Sequence, residues 1–127
     1  MVLVVGPEQE LRDYVGDLLR QADYTVYTAA SAFEARARLR DLYPDLMLLD
    51  ACLPEADGLL AEQRLRFGGG PFRLPVVFLG SPDSAEELRR GYEQGALCHI
   101  FKGDGVRRLP QLLECALERL EFERNPD

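Results

Sequence analysis

Five short apolar runs alternate along the chain with segments in which apolar residues recur at the spacing of a helix. The runs cover residues 2–5, 25–28, 46–49, 76–79 and 97–101. Strands that are apolar on both sides are typical of a parallel sheet covered by helices on both faces. Because crossovers between parallel strands are right-handed, the pattern predicts an α/β fold with a doubly wound five-stranded parallel sheet in the order 2-1-3-4-5.

The length of the chain indicates a single domain. Its 127 residues are enough to bury one core without disulfides or metals. We expect this domain to cover residues 1–123, with residues 124–127 forming a C-terminal tail or the start of a linker. The Gly/Pro cluster at residues 68–71 predicts a surface loop.

Composition and charge exclude several classes of function. The net charge of −7 disfavours binding to a phosphodiester backbone, so we expect no nucleic acid partner. No apolar run approaches the roughly 20 residues that span a bilayer, and the N-terminus lacks a signal-peptide pattern. We therefore expect a cytoplasmic domain that binds no membrane. Cys52, Cys98 and Cys115 form no metal-ligand spacing, which predicts small, buried thiols in a reducing compartment.

The carboxyl ends of the predicted strands carry the candidate functional residues, because the working site of a doubly wound sheet lies at that edge. These ends hold Gly6, Pro7, Asp50, Gly80, Ser81 and Lys102. Lys102 is the one lysine among 15 basic residues, and it can reach Asp50. A contact between them is open to two interpretations: a salt bridge that closes the sheet edge, or a carboxylate nucleophile with a cation that neutralises an acquired phosphoryl group.

The segment around Asp50 resembles the phosphoacceptor loop of response-regulator receiver domains. An apolar strand ends in Asp50 and is followed by two variable residues, Leu53, Pro54 and, four residues later, Gly58. The stretch 100–102, Ile-Phe-Lys, is similar to the family's fifth strand, and further motifs match in order over nearly the whole chain. The resemblance implies the family's flavodoxin-like fold, also called CheY-like.

The resemblance also implies a function and the residues that carry it. Asp50 corresponds to the phosphoacceptor, Lys102 to the lysine that contacts the phosphoryl group, and the backbone carbonyl of Cys52 to a metal ligand. A receiver domain acts in two-component phosphorelay signalling, so the expected partner is a sensor kinase or another signalling protein. The expected role is not enzymatic.

The chain departs from the family at the end of the first strand. Receivers hold Mg²⁺ there with two acidic residues, whereas this chain has Gly6 and Pro7. Mg²⁺ prefers carboxylate and water oxygens, and the remaining ligands would be Asp50, one carbonyl and water. Glu8 is either a replacement ligand or an acid that complements the dipole of the first helix. We therefore expect no resident cofactor, with Mg²⁺ binding possible but weakened.

The second departure concerns the residues that switch between states in receivers. The family places Ser or Thr after the fourth strand, where this chain has Gly80. Ser81 can contact the phosphoryl group instead, or it caps a helix that begins at Pro82. His99 falls where many receivers carry a switching aromatic side chain, and the alternative is a half-exposed strand residue.

Three functions remain open. The first is a degenerate receiver that works as an interaction module without effective phosphorylation. The second is a receiver phosphorylated on Asp50 by a histidine kinase. The third is a small flavin- or nucleotide-binding enzyme of the same topology, although the loop at residues 6–9 is short for holding a phosphate. The face of the fourth helix, fifth strand and last helix carries Arg89, Arg90, Glu93, His99, Arg107 and Glu114. This face either forms a symmetric homodimer or is an ordinary solvated surface.

Overall fold

Five strands and six helices make up the fold in a computed structural model that describes residues 1–67, 74–81, 83–93 and 95–124. The strands are β1 (Val2–Val5), β2 (Val26–Ala29), β3 (Leu46–Asp50), β4 (Val76–Gly80) and β5 (Cys98–Phe101). The helices are α1 (Gln9–Gln21), α2 (Ala32–Asp41), α3 (Ala56–Phe67), α4 (Ala85–Glu93), α5 (Asp104–Arg107) and α6 (Leu109–Arg124).

All the strand pairs are parallel, and the sheet order is β2-β1-β3-β4-β5. This confirms the predicted fold class and strand order. The order places β3 in the centre of the sheet, between β1 and β4. The register pairs Asp50 with Leu79, so the end of β3 lies beside the end of β4.

The core lies on both faces of the sheet, which explains why β1, β4 and most of β3 are apolar without interruption. Alternate strand residues such as Leu3, Leu49 and Phe78 join one cluster with residues of α2 and α3. Their neighbours, such as Val4 and Leu48, join a second cluster with residues of α1 and α6. A strand covered on both faces has no position at which a polar side chain reaches water, so period-two alternation is absent.

One prediction about a helix start is wrong, and another is shifted along the chain. Helix α4 begins at Ala85, and its start is stabilised by Ser84, whose Oγ accepts a hydrogen bond from the Glu87 amide at 3.2 Å. Ser81 is therefore not the cap; its Oγ accepts instead from the Asp83 amide at 3.3 Å in a local turn. Glu8 is the N-cap residue of α1 without a side-chain cap bond, and Glu10 is the acid in the first turn.

Other boundaries shift by small amounts. Strand β2 begins one residue later than predicted, at Val26, and the last helical segment is divided into α5 and α6. The predicted loop at residues 68–71 lies outside the described residues. Of the predicted tail, Arg124 is the last residue of α6, and residues 125–127 lie outside the described part. Among the helices that the structure describes, none is both long and apolar enough to cross a bilayer.

Helix α4 approaches β4 so closely that Gly91 has no room for a side chain. A β carbon on Gly91 would lie 2.7 Å from Cδ2 of the buried Phe78 ring. We expect Gly91→Ala to lower the free energy of unfolding by about 1 kcal/mol or more, because overpacking costs ~1–3 kcal/mol and exceeds the helix-propensity gain of ~1 kcal/mol. Urea unfolding followed by circular dichroism measures the change.

The matched control is Gly58→Ala in α3, where a β carbon would meet nothing within 4 Å. Only the propensity gain applies there, so this variant is expected to be as stable as the parent or more so. Equal effects of the two substitutions would contradict the close approach of α4 to β4.

Candidate functional site

The carboxyl ends of β3, β4 and β5 meet at one edge of the sheet. The Ala51 amide donates to the Leu79 carbonyl at 2.8 Å, and the Lys102 amide donates to the Gly80 carbonyl at 2.9 Å. The last residue of β3 and the first residue after β5 therefore flank the end of β4. This backbone arrangement brings the side chains of Asp50 and Lys102 to the same place.

Asp50 and Lys102 form an ion pair, which confirms the predicted contact. The Asp50 side chain is 1% exposed, and its Oδ1 accepts from Lys102 Nζ at 2.9 Å. The same oxygen accepts from the Cys52 amide, also at 2.9 Å. Burying a carboxylate costs free energy unless it is paired and hydrogen-bonded. The two donors to Oδ1 offset that cost.

Lys102 responds electrostatically to this contact. Burial acts to lower the pKa of Lys102, but the hydrogen bond and the charge of Asp50, with smaller contributions from Cys52, outweigh burial and raise the pKa above 10.5. The prediction of buried cysteines is wrong for Cys52 and Cys115, which are exposed free thiols. Cys52 Sγ lies 3.5 Å from Lys102 Nζ. The contact of this thiol with the lysine was not predicted, because the resemblance assigns only the backbone carbonyl of Cys52.

The second carboxylate oxygen of Asp50 is unused by the protein. Oδ2 is buried and has no hydrogen-bond partner among the described residues. It faces Gly6, since a β carbon built on Gly6 would lie 3.1 Å from Asp50 Cβ and 3.5 Å from Oδ2. A carboxylate held through one oxygen by a cation, with the other oxygen unpaired, is arranged as a nucleophile or as a ligand.

The residues present do not build a magnesium cage. In residues 1–67, 74–81, 83–93 and 95–124, no group of three or more His, Cys, Asp or Glu side chains is placed to hold a metal ion. The predicted replacement ligand, Glu8, is 64% exposed, and its Oε1 lies 4.0 Å from Lys102 Nζ. Since Gly6 and Pro7 offer no side-chain oxygen, the donor set lacks the carboxylates that Mg²⁺ prefers.

His99 turns its ring inward over Gly80. A β carbon on Gly80 would lie only 2.4 Å from His99 Nε2. The ring makes an edge contact with Phe78, with centroids 6.1 Å apart, and a tilted contact with Phe101 at 5.2 Å. Burial lowers the pKa of His99, opposed by the charge of Glu87. His99 is a partly buried residue of β5, as predicted for a half-exposed strand residue. The inward orientation of its ring, which depends on the missing side chain at residue 80, was not predicted.

The remaining site predictions have mixed outcomes. The Ser81 amide donates to Glu87 Oε1 at 3.2 Å, and its hydroxyl takes part in the turn to Asp83, so its contact with a phosphoryl group stays a prediction. Arg90 was expected on an open face, but its Nε lies 3.1 Å from Asp57 Oδ2. Arg90 Nη2 also donates a hydrogen bond to the carbonyl of Ala51, the residue after Asp50, at 3.4 Å. No sequence pattern indicated this link between α4 and α3.

The chain matches the family model described as "Response regulator receiver domain" over residues 2–114. That range covers most of the chain, and the protein belongs to this family. Receiver domains of two-component response regulators interact with kinases or other signalling proteins, and this is the class of protein that the fold and the Asp50–Lys102 pair define.

Curated relatives agree with this assignment. The chain is 32% identical over 114 residues to the gliding motility regulatory protein of Myxococcus xanthus, covering 89% of this chain and 15% of that protein. It is 30% identical over 118 residues to the phosphate regulon transcriptional regulatory protein PhoB of Pseudomonas aeruginosa, covering 93% of this chain and 52% of the relative. The chain therefore spans about half or less of the length of these relatives.

Solved structures show the same architecture. The structure of NtrX from Brucella abortus superposes with a TM-score of 0.87 at 30% identity, covering 97% of this chain and 28% of that one. A CheY-like receiver domain protein from Methanospirillum hungatei superposes with a TM-score of 0.83 at 24% identity, covering 96% of both chains. The second likeness supports the fold alone.

Removing one partner of the ion pair is expected to lower stability more than removing the other. Lys102→Met leaves the buried Asp50 charge without its cation, and we expect the free energy of unfolding at pH 7 to fall by about 3 kcal/mol. Asp50→Asn is expected to cost less, about 1 kcal/mol, because Lys102 is 23% exposed and stays hydrated without its partner. Denaturant unfolding of both variants measures the difference.

The pH dependence follows from the raised pKa of Lys102. Its stabilising contribution is fully present below pH 10.5 and is lost as the pH rises through the higher folded-state pKa. The stability gap between the parent and Lys102→Met should therefore persist from pH 7 to about pH 10 and narrow above it. Equal costs for the two variants, or a gap that closes between pH 7 and about pH 10, would contradict the pairing.

Proposed function

We propose that this receiver domain signals chiefly through protein–protein contacts and that magnesium-dependent phosphorylation of Asp50 is impaired. The observation that carries the proposal is the carboxylate count at the sheet edge. Among the carboxylates of the described residues, only Asp50 and the exposed Glu8 lie within 4.0 Å of Lys102 Nζ, while Gly6 and Pro7 provide no side-chain oxygen. The proposed role is that of a binding module and not of an enzyme, and the proposed location is the cytoplasm.

The residues at the sheet edge would support slow phosphorylation of Asp50. Lys102 holds Oδ1 and provides one positive charge, so the unpaired Oδ2 is free to attack phosphorus. In such a transfer the bond from Oδ2 to phosphorus forms, and the bond from phosphorus to the donor's leaving group breaks. A divalent cation, when bound at such a site, neutralises charge on the phosphoryl oxygens. Because such a cation would be held weakly here, Lys102 would have to neutralise most of the negative charge on the phosphoryl oxygens.

The alternative is a fully functional receiver phosphorylated on Asp50 by a histidine kinase. The free Oδ2 and the intact Asp50–Lys102 pair favour this candidate. The third function, a flavin- or nucleotide-binding enzyme, gains no support. Helix α1 begins at Gln9 with Glu8 at its N-cap, and a carboxylate at that position repels a phosphate.

A partner surface is available beside the site on α4, β5 and α6. Within this region, a groove of about 520 Å³ between β5, α5 and α6 is lined by apolar side chains such as Phe101 and Leu112, together with Arg108 and Arg119. On the expected dimer face, Arg89 pairs with Glu86 at 3.2 Å and with Glu93 at 3.0 Å. Arg90 is directed to Asp57, and His99 is turned inward. We propose that a sensor kinase, another signalling protein or a second copy binds this face.

Phosphorylation from a small-molecule donor tests the proposal. The domain is incubated with acetyl phosphate at several magnesium concentrations, and intact-mass spectrometry measures the fraction that gains one phosphoryl group. We expect a small fraction with little dependence on magnesium, and none in Asp50→Asn. Near-complete phosphorylation of Asp50 driven by submillimolar magnesium would overturn the proposal and support the alternative.

Pro7→Asp is a gain-of-function variant for the same assay. It adds a carboxylate at an exposed position without crowding Asp50, and it is expected to raise the magnesium-dependent fraction. Pro7→Asn is the matched control, because it also removes the proline but adds no charge. If both variants behave like the parent, the missing carboxylate is not what limits the acceptor.

A further inference from the structure

The space that a side chain at residue 80 would occupy is filled by His99. A β carbon built on Gly80 would lie 2.4 Å from His99 Nε2 and 2.7 Å from Cε1. Real β carbons do not come this close to other atoms, so residue 80 cannot carry a side chain while the ring stays in place. The inward position of the His99 ring therefore requires glycine at residue 80, and His99 Nε2 lies where a side chain at residue 80 would begin.

The two ring nitrogens of His99 have no hydrogen-bond partner among the described residues. Both Nδ1 and Nε2 are buried and make no hydrogen bond within the part of the chain that the structure describes. An unsatisfied buried donor costs free energy, and such groups are often kept where a ligand completes them. The ring lies against Phe78 of β4 and Phe101 of β5, which cannot hydrogen-bond strongly to it.

The charged group that acts on the pKa of the ring is Glu87 of α4, and the groove that His99 helps to line also holds Arg108 and Arg119. Glu87 Oε1 lies 3.5 Å from the β-carbon position of Gly80, but it accepts from the Ser81 amide at 3.2 Å instead of from His99. Burial of the ring outweighs this charge and lowers the pKa of His99. The imidazole is therefore neutral near pH 7, with one N–H to donate.

The ring stands at the same edge of the sheet as the acceptor carboxylate. Gly80 ends β4, and its carbonyl accepts from the Lys102 amide at 2.9 Å. On the other side, the register pairs Asp50 with Leu79, the residue before Gly80. A group placed over Gly80 thus lies between the strand ends that carry Asp50 and Lys102.

We propose that His99 is a phosphoryl-binding residue whose Nε2–H replaces the side-chain donor that Gly80 lacks and donates a hydrogen bond to a phosphoryl oxygen on Asp50. The inference rests on the proposed function to the extent that Asp50 still accepts a phosphoryl group, even slowly. Lys102 contacts the group from β5 as a cation, and His99 contacts it as a neutral donor.

The test uses the chain's single histidine as its own reporter. The domain is labelled with ¹⁵N-histidine and titrated with beryllofluoride, a phosphoryl mimic, at a fixed, high concentration of magnesium chloride. We expect the imidazole ¹⁵N signals to shift on binding in the parent and to stay unchanged in Asp50→Asn. This readout in the parent domain does not depend on any His99 variant folding.

Two variants then separate the donor from the ring. His99→Phe keeps an aromatic ring without a donor and is expected to weaken beryllofluoride binding about tenfold, the value of one hydrogen bond to a charged group. His99→Gln retains an N–H at a similar reach and is expected to stay within about threefold of the parent. Thermal unfolding of each variant checks that the fold is kept.

Each outcome bears on the inference. A shifted imidazole signal together with weaker binding by His99→Phe than by His99→Gln supports it. An unshifted signal, equal binding by His99→Phe and the parent, or binding that survives in Asp50→Asn overturns it. A parent domain that binds no beryllofluoride also overturns it, while the proposed role in protein contacts stands. Tight magnesium-dependent phosphorylation would instead overturn the proposed function and leave the contact with His99 intact.

Discussion

The ion pair between Asp50 and Lys102 is the interaction on which the rest of the sheet edge depends. Asp50 is nearly inaccessible to water, and a charge in that environment must be balanced where it lies. In the described structure, that balance comes from one lysine and one backbone amide, both on the same carboxylate oxygen. This leaves the other oxygen unpaired. The interaction that stabilises the fold therefore also leaves an oxygen available for the proposed phosphoryl transfer.

Two glycines shape the surroundings of this pair in the same physical way. At Gly6 the backbone packs against the Asp50 side chain, and at Gly80 the His99 ring fills the open volume. In both places the resemblance to the family implies a polar side chain, and a neighbouring side chain instead lies against the glycine. We propose that the site therefore carries fewer negative charges than a typical receiver, with a neutral ring where the resemblance implies a hydroxyl.

The sequence was sufficient to predict the sheet order and the Asp50–Lys102 contact, because both follow from apolar runs and from the meeting of parallel strand ends. It could not predict the inward ring of His99, since side-chain orientation depends on the free volume at Gly80, 19 residues earlier in the chain. The Arg90–Asp57 bridge joins residues 33 positions apart and leaves no periodic signature. Ser81 was misassigned because Ser81 and Ser84 offer similar capping patterns, and only the backbone decides between them.

The central claim is that the charge of Asp50 is balanced by Lys102 and not by a divalent cation. The most direct measurement is a magnesium chloride titration of the ¹⁵N-labelled domain, followed through the backbone amides of Ala51, Cys52 and Lys102. Our account predicts that these signals show no saturation up to about 10 mM magnesium, because too few carboxylates converge to replace the ion's water. Saturable shifts of these amides with a submillimolar dissociation constant would contradict it.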